Sequence, residues 1–419
     1  MCSNFIIHMP YDILINILVH LELRDILNLM LTCKALKKII INENILWRIK
    51  SSNRFILQRN KSKKIQLSWY NRCRVSYNWC KGISKYKDIV QHSENYMPWL
   101  QLRNNRTLYL SVGSELRCYT LEKKRLMWSV NVPTVKREDK RTNDISRFLM
   151  KENLILCGSR DGSTIVYALD SAHRPLLLMH IKDSHEAGRV EVSAVEKIND
   201  CIITASERSP CICLWECRRL PNSFFYNKVL SRKEYRLPDE VGCRCLAVTY
   251  VHNKLALGPN GNTRPLLFDT HTGTFLMKSE ATRTARDVVR DVQWHDANRM
   301  AYVTHSGRLE MIDIRSSEVV YESKDPFQSS LYCLKTDANR AVLCGASEYS
   351  RCVLFDERST RHVQMYFTQK RASPVYSLDF DSTKLIAAAD RGVTTLNFNV
   401  SAAMTPANDY SYVFEHINR

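Results

Sequence analysis

One short apolar segment returns seven times along the C-terminal three quarters of the chain, and few folds accept such a repeat. It starts at Thr107 ("TLYLSVG"), Leu154 ("LILCGSRDG"), Cys201 ("CIITASERS"), Lys254 ("KLALGPNGN"), Met300 ("MAYVTHSGR"), Ala341 ("AVLCGASEY") and Leu385 ("LIAAADRGV"), at intervals of 41 to 53 residues. Each copy runs into a polar turn and a further strand-like run, such as "STIVYALD" or "CVLFDE". Each is also preceded by one, such as "DISRFLM" or "LYCLKT". Strands at this spacing, in groups of four with the fourth the most variable, predict propeller blades. A single four-stranded blade cannot cover both of its faces. Seven in a ring cover one another and leave only short outer edges.

The N-terminus has a different period. In "MPYDILINILVHLELRD", Met9–Asp25, apolar residues fall at Ile13, Leu14, Ile17, Leu18 and Leu21, the stripe of a helix. Pro10 suits the helix start and Asp12 the positive end of its dipole. Further apolar helices are expected at about 26–31 and 35–41, with Leu46 and Trp47 closing the unit. So small a unit buries little surface by itself, so part of its stripe is expected to meet another protein rather than its own downstream domain.

Composition fits a soluble globular protein: 44% hydrophobic and 25% charged. No run is long enough for a membrane span, and "MCSNFIIHMP" lacks the basic and apolar regions of a signal peptide. A cytoplasmic or nuclear site is expected. Fifteen cysteines then stay reduced. Pairs such as Cys211 and Cys213, or Cys243 and Cys245, alternate as strand residues do, which argues against metal. The net charge of +18 is concentrated between Lys34 and Lys87, with fifteen Lys or Arg against Glu43 alone. Such a tract could follow phosphates or an acidic protein. In "WYNRCRVSYNWCKG", however, Trp69, Cys73, Tyr77 and Cys80 share a helical face, which predicts packing, with the basic residues between them solvated. No nucleophile elbow, P-loop, metalloprotease or dinucleotide motif stands in a fitting context, so no catalytic residue, metal or cofactor is expected.

Two resemblances follow from these residues. "MPYDILINILVHLELRDILNLMLTCKALKKIIINENILW" resembles an F-box, through Pro10, Leu21, Asp25, Cys33 and Trp47 at their separations. The repeats resemble WD repeats. "GSRDGSTIVYALD" is the clearest copy; Trp215-Glu216, Phe268-Asp269 and Phe355-Asp356 stand where that family has Trp-Asp, and His185 where it has an inter-strand His. Together the halves look like an F-box and WD-repeat protein. "NYMPWLQL", "SSLYCLKTD" and "SPVYSLDF" are similar to the dactylin type. The implied architecture is a mainly β chain: F-box at 4–50, basic helical linker at 51–96, seven-bladed propeller at 97–400 and tail at 401–419. A strand near 86–92 is expected to complete the last blade in preference to "YSYVFEH" at 410–416.

The resemblance implies a non-catalytic substrate receptor of an SCF-type cullin-RING ubiquitin ligase. The F-box would dock on the S-phase-kinase-associated adaptor, and through it a cullin and a RING protein. The propeller would present a protein substrate. Adaptor contacts are expected from Pro10, Ile13, Leu14, Ile17, Leu18 and Leu27, with Leu21 and Trp47 shared with internal packing. Arg160, Arg208 and Arg391 in loops between second and third strands, and Arg286 and Arg371 between blades, are candidates for an anionic substrate segment, because a guanidinium pairs carboxylate or phosphate through two bonds. The alternatives are a scaffold whose basic linker binds RNA or another acidic partner, and a scaffold uncoupled from any ligase.

Overall fold

Each repeat forms a four-stranded antiparallel sheet, and there are seven of them. The computed structural model describes residues 9–52, 54–57, 67–139, 141–219, 226–249, 253–277, 288–370 and 372–401. Blades 1 to 6 span 100–131, 145–181, 194–236, 243–277, 289–324 and 331–367. Sandwiching between neighbours explains the continuous apolar runs. In blade 6 every residue of the second strand, Ala341–Ala346, and of the third, Arg351–Asp356, is buried. The outer strand of blade 5, Glu318–Lys324, faces solvent and alternates instead. Cores form between blades: Leu156 and Val166 of blade 2 pack with Ile202 and Cys213 of blade 3.

Blade 7 takes three strands from 375–397 and its outermost from the far end of the chain. That strand, β1 (Lys85–Gln91), pairs antiparallel with Gly392–Asn397, Tyr86 opposite Leu396 and Gln91 opposite Gly392. The expected N-terminal closure is therefore present, so the stretch 51–96 is not helical throughout. "YSYVFEH" lies outside the described residues.

The N-terminal unit holds α1 (Tyr11–His20), α2 (Leu23–Thr32), α3 (Lys34–Asn42) and α4 (Asn44–Lys50). Leu46 and Trp47 lie on this fourth helix, which starts where the Glu43 side chain accepts from Ile45 N at 2.9 Å. The core is Leu14, Leu18, Ile26, Met30, Leu36, Ile40, Leu46 and Trp47. A further helix, α5 (Trp69–Lys81), runs between Ser68, which caps it, and Gly82 in the left-handed region at φ 68°.

Among the described residues every cysteine is a free thiol. Burial pushes Cys213 and Cys243 up to about 12, so they pack as small apolar groups.

Candidate functional sites

The helical unit divides its apolar residues between two directions. Leu14 and Leu18 are 3% and 1% exposed and Trp47 3%, with the Trp47 indole donating to Ile40 O at 2.7 Å. Leu14 and Leu18 therefore serve the unit's own core, which corrects the expectation for them, whereas Trp47, expected to be shared, also lines an apolar cavity of about 290 Å³ with Leu23, Leu27 and Tyr70. The stripe seen in one helix is wide enough to serve its own core along one edge and solvent along the other. Ile13, Ile17 and Leu27 are 45%, 43% and 43% exposed, Pro10 is exposed and Leu21 half-buried. Leu31 adds to the open side at 82%, and the sequence analysis had missed it. Ile13 and Ile17, like Leu27 and Leu31, sit four residues apart and so share a helix face.

Helix α5 braces this unit against the propeller. On one side Trp69, Tyr70 and Cys73 pack on the helical core, with Tyr70 edge-on to Trp47 at 5.0 Å. On the other, Val75 and Trp79 enter the core of blades 6 and 7. Trp79 stacks on Phe398 at 3.7 Å and its indole donates to Ser382 O at 3.0 Å. Asn78 donates to Phe398 O at 2.8 Å, and Tyr366 donates to Trp79 O at 2.7 Å. The single packing face expected for Trp69, Cys73, Tyr77 and Cys80 is replaced by two opposed faces, and Tyr77 is 52% exposed. Part of the basic tract is structural. Lys50 donates to Val19 O and Leu21 O at the end of α1, Arg72 lies over the Trp69 ring at 4.9 Å, and Arg74 donates to Val400 O at 2.8 Å.

Blade 3 holds the internal network its repeat motif implied. The buried His185 Nε2 is 2.9 Å from Thr204 Oγ1, which also accepts from the Trp215 indole at 2.9 Å. Burial and the nearby Arg232 push His185 down to about 4, so it is neutral and serves as a hydrogen-bonding tie. Asp161 does similar work in blade 2, accepting from Ser163 N at 2.9 Å and Ser163 Oγ at 2.6 Å.

A cavity of about 310 Å³ opens at the mouth of the central channel. Its walls come from one recurrent irregularity. In five blades the innermost strand begins with a bulge that leaves one residue out of register: Ser146, Arg244, Arg290, Tyr332 and Tyr376. A bulge re-aims its side chain, and all five line the cavity, joined by Trp99, Arg147 and Arg160. Arg147 of blade 2 reaches Asp291 of blade 5 at 3.0 Å and lies over the Trp99 ring at 4.1 Å. Arg147 and Trp99 also line a second cavity of about 230 Å³ among the inner strands, together with Asp291, so the ion pair lies where the two meet. Arg244 pairs with Glu207. Arg290 Nη2 is 2.8 Å from His305 Nδ1, and its guanidinium lies 4.8 Å from the Tyr332 ring.

Of the five arginines singled out in the sequence, the structure brings only Arg160 into this mouth. Arg208 is exposed on its loop, Arg391 is exposed and donates to Asn95 Oδ1 at 2.9 Å, and Arg286 and Arg371 lie outside the described residues. Arg147, Arg244 and Arg290 lie on inner strands rather than at loop tips, where the sequence reading placed its candidates. Their signal is a polar residue set into the apolar start of the inner strand, as in "CRC" and "VRDV". Among the described residues no group of three His, Cys, Asp or Glu could hold a metal, and no helix is long and apolar enough to cross a membrane.

The fold and these sites define a class: a small helical unit with an open apolar face, mounted by a two-faced helix on a closed seven-bladed ring. A profile of the F-box-like family matches residues 6–51. The chain is 22% identical over 403 residues to F-box/WD repeat-containing protein 4 of Mus musculus, covering 93% of this chain and 92% of the relative. The Homo sapiens protein of that name matches with the same identity and coverage. The computationally designed protein Ika8 superposes with a TM-score of 0.50 at 13% identity, over 74% of this chain and 99% of its own, a likeness of fold alone. The N-terminal unit thus matches the F-box-like family, and the chain as a whole is similar to F-box/WD repeat-containing proteins.

Proposed function

We propose that the chain is the substrate receptor of an SCF-type cullin-RING ubiquitin ligase. The observation that carries this is the open face of the helical unit. Ile13, Ile17, Leu27 and Leu31 stay exposed in a unit whose own core is complete and which α5 fixes to the propeller. That face suits an apolar groove on the S-phase-kinase-associated adaptor. A rigid mount would then hold a propeller-bound substrate at a set distance from the ubiquitin carrier, so the receptor acts by tethering and makes no bond itself. The propeller's mouth is the proposed substrate face, with the anionic class expected from Arg160 extended to Arg244 and Arg290.

The test is co-purification from cells of the Ile13→Asp/Ile17→Asp variant. Burying one Ile is worth roughly 1.5–3 kcal/mol, so adaptor and cullin should be lost while the propeller keeps its melting temperature. Retention of the adaptor at wild-type levels refutes the docking face. Leu14→Asp would not serve, because Leu14 is in the unit's own core. The RNA reading has less support, since Lys50, Arg72 and Arg74 are engaged within the protein.

A further inference from the structure

The cavity at the channel mouth has features that select among anions. Its floor is crossed by the Arg147–Asp291 pair, which joins blades 2 and 5 at 3.0 Å. A chain end can stop above that pair, whereas a threading segment would have to break it. Two of the four guanidiniums on its wall are matched, Arg147 by Asp291 and Arg244 by Glu207. Arg160 and Arg290 have no ion pair with a carboxylate among the described residues, and Glu191 on the wall opposes them. The lining thus holds about one positive charge in excess.

A dianionic phosphate would leave negative charge beside Glu191 and Glu207. A carboxylate, with one charge and two oxygens, fits the planar fork of Arg290. The Arg290 guanidinium is fixed by the Tyr332 ring and by His305 Nδ1, which meets both its Nε at 3.3 Å and its Nη2 at 2.8 Å, leaving the Nη1 end of the fork for a ligand. Its burial disfavours its charge, as does Arg244 nearby, so an anion there would relieve a standing cost. Around it stand Trp99, Tyr332, Tyr376 and Met97, an apolar wall on which a side chain can lie, with Tyr332 and Tyr376 at 6.2 Å between ring centres.

We propose that this cavity receives the free carboxyl end of a protein substrate, the terminal carboxylate on Arg290 and Arg160 and a large apolar or aromatic last side chain against Trp99, Tyr332 and Tyr376. The proposal deepens the receptor reading and rests on it for its biological sense, but the binding is tested without the adaptor.

The experiment is an immobilised array of peptides varied at their last three positions. Each is made as the free acid and as the C-terminal amide, beside internal phosphoserine peptides, and all are probed with the full chain. Free acids with a bulky apolar end should bind, and amidation should weaken them at least tenfold. Arg290→Gln should abolish the difference and Arg290→Lys should restore little of it, since an ammonium lacks the fork. Arg160→Gln, on a loop where the side chain contacts the Met97 sulfur at 3.0 Å, gives a second reading that does not depend on the channel packing. Equal binding of acids and amides overturns the proposal. So does capture of phosphopeptides alone, which would make the cavity a phosphate receptor, and so does unchanged binding by both Arg variants. Loss of the adaptor without loss of peptide binding would remove only the ligase reading.

Discussion

The helical unit and the propeller treat apolar surface by opposite rules. Of the large apolar side chains left exposed, Tyr11, Ile13, Ile17, Leu27, Leu31, Ile45 and Ile49 crowd into the short stretch 11–50. From residue 86 onward, among the described residues, nine more are spread over the ring, and several, such as Leu230, Leu276 and Val320, stand on outer strands of different blades. Ring closure explains the difference: each blade finds its partner in the next, whereas four short helices run out of interior before they run out of apolar residues. Surplus apolar surface on a unit with a finished core is therefore a better guide to a partner than hydrophobicity itself.

The sharpest way to break this comparison is at the joint. Trp79→Ala removes a fully buried ring shared by α5 and blades 6 and 7, and should cost about 3–5 kcal/mol. Denaturant unfolding measures the loss, and proteolysis of the helical unit should speed up as it loosens. A smaller contrast lies inside α1. Leu18→Ala should destabilise the helical unit by about 2–5 kcal/mol, and Ile17→Ala one residue away should stay within about 0.5 kcal/mol. Circular dichroism melts of the pair would sink the two-direction division of that helix if the costs were equal.

Blade 3 gives a pH test of the self-satisfied ring. His185 is held down at about 4, against about 6.5 when unfolded. The unfolded chain thus takes up a proton first. Stability is full above about pH 6.5 and falls as pH drops toward 4, by roughly 2 kcal/mol at pH 5. His185→Gln should flatten that part of the pH profile in thermal melts. The smallest effect is expected from Arg208→Glu. Arg208 is an exposed side chain away from the mouth, so stability should move by less than about 0.5 kcal/mol and peptide binding not at all.

Much of the ring was legible before the structure, because period-two runs at a regular interval carry their own register. The closing strand near Tyr86 was also legible, as was His185 as an inter-strand tie. What escaped was orientation within one element. Ile13 and Leu14 are both apolar and adjacent, and the sequence does not say which looks inward until α2 to α4 are placed. The channel arginines escaped for a related reason. A bulge of one residue turns Arg244 and Arg290 toward the mouth, while strict alternation would have placed them by parity alone.

The socket that grips α5 has a consequence for how the chain is made. Asn78 and Trp79 are held by residues 382 and 398, more than 300 positions later, and β1 waits for Gly392–Asn397. In synthesis α5 precedes its socket: Tyr366 of blade 6 reaches it first, and the contacts from 382 and 398 come only with blade 7. A chain cut short before residue 392 would keep only the blade 6 side of that socket, beside a ring with two unpaired edges prone to aggregation. The mounting of the helical unit is thus tied to the completion of blade 7.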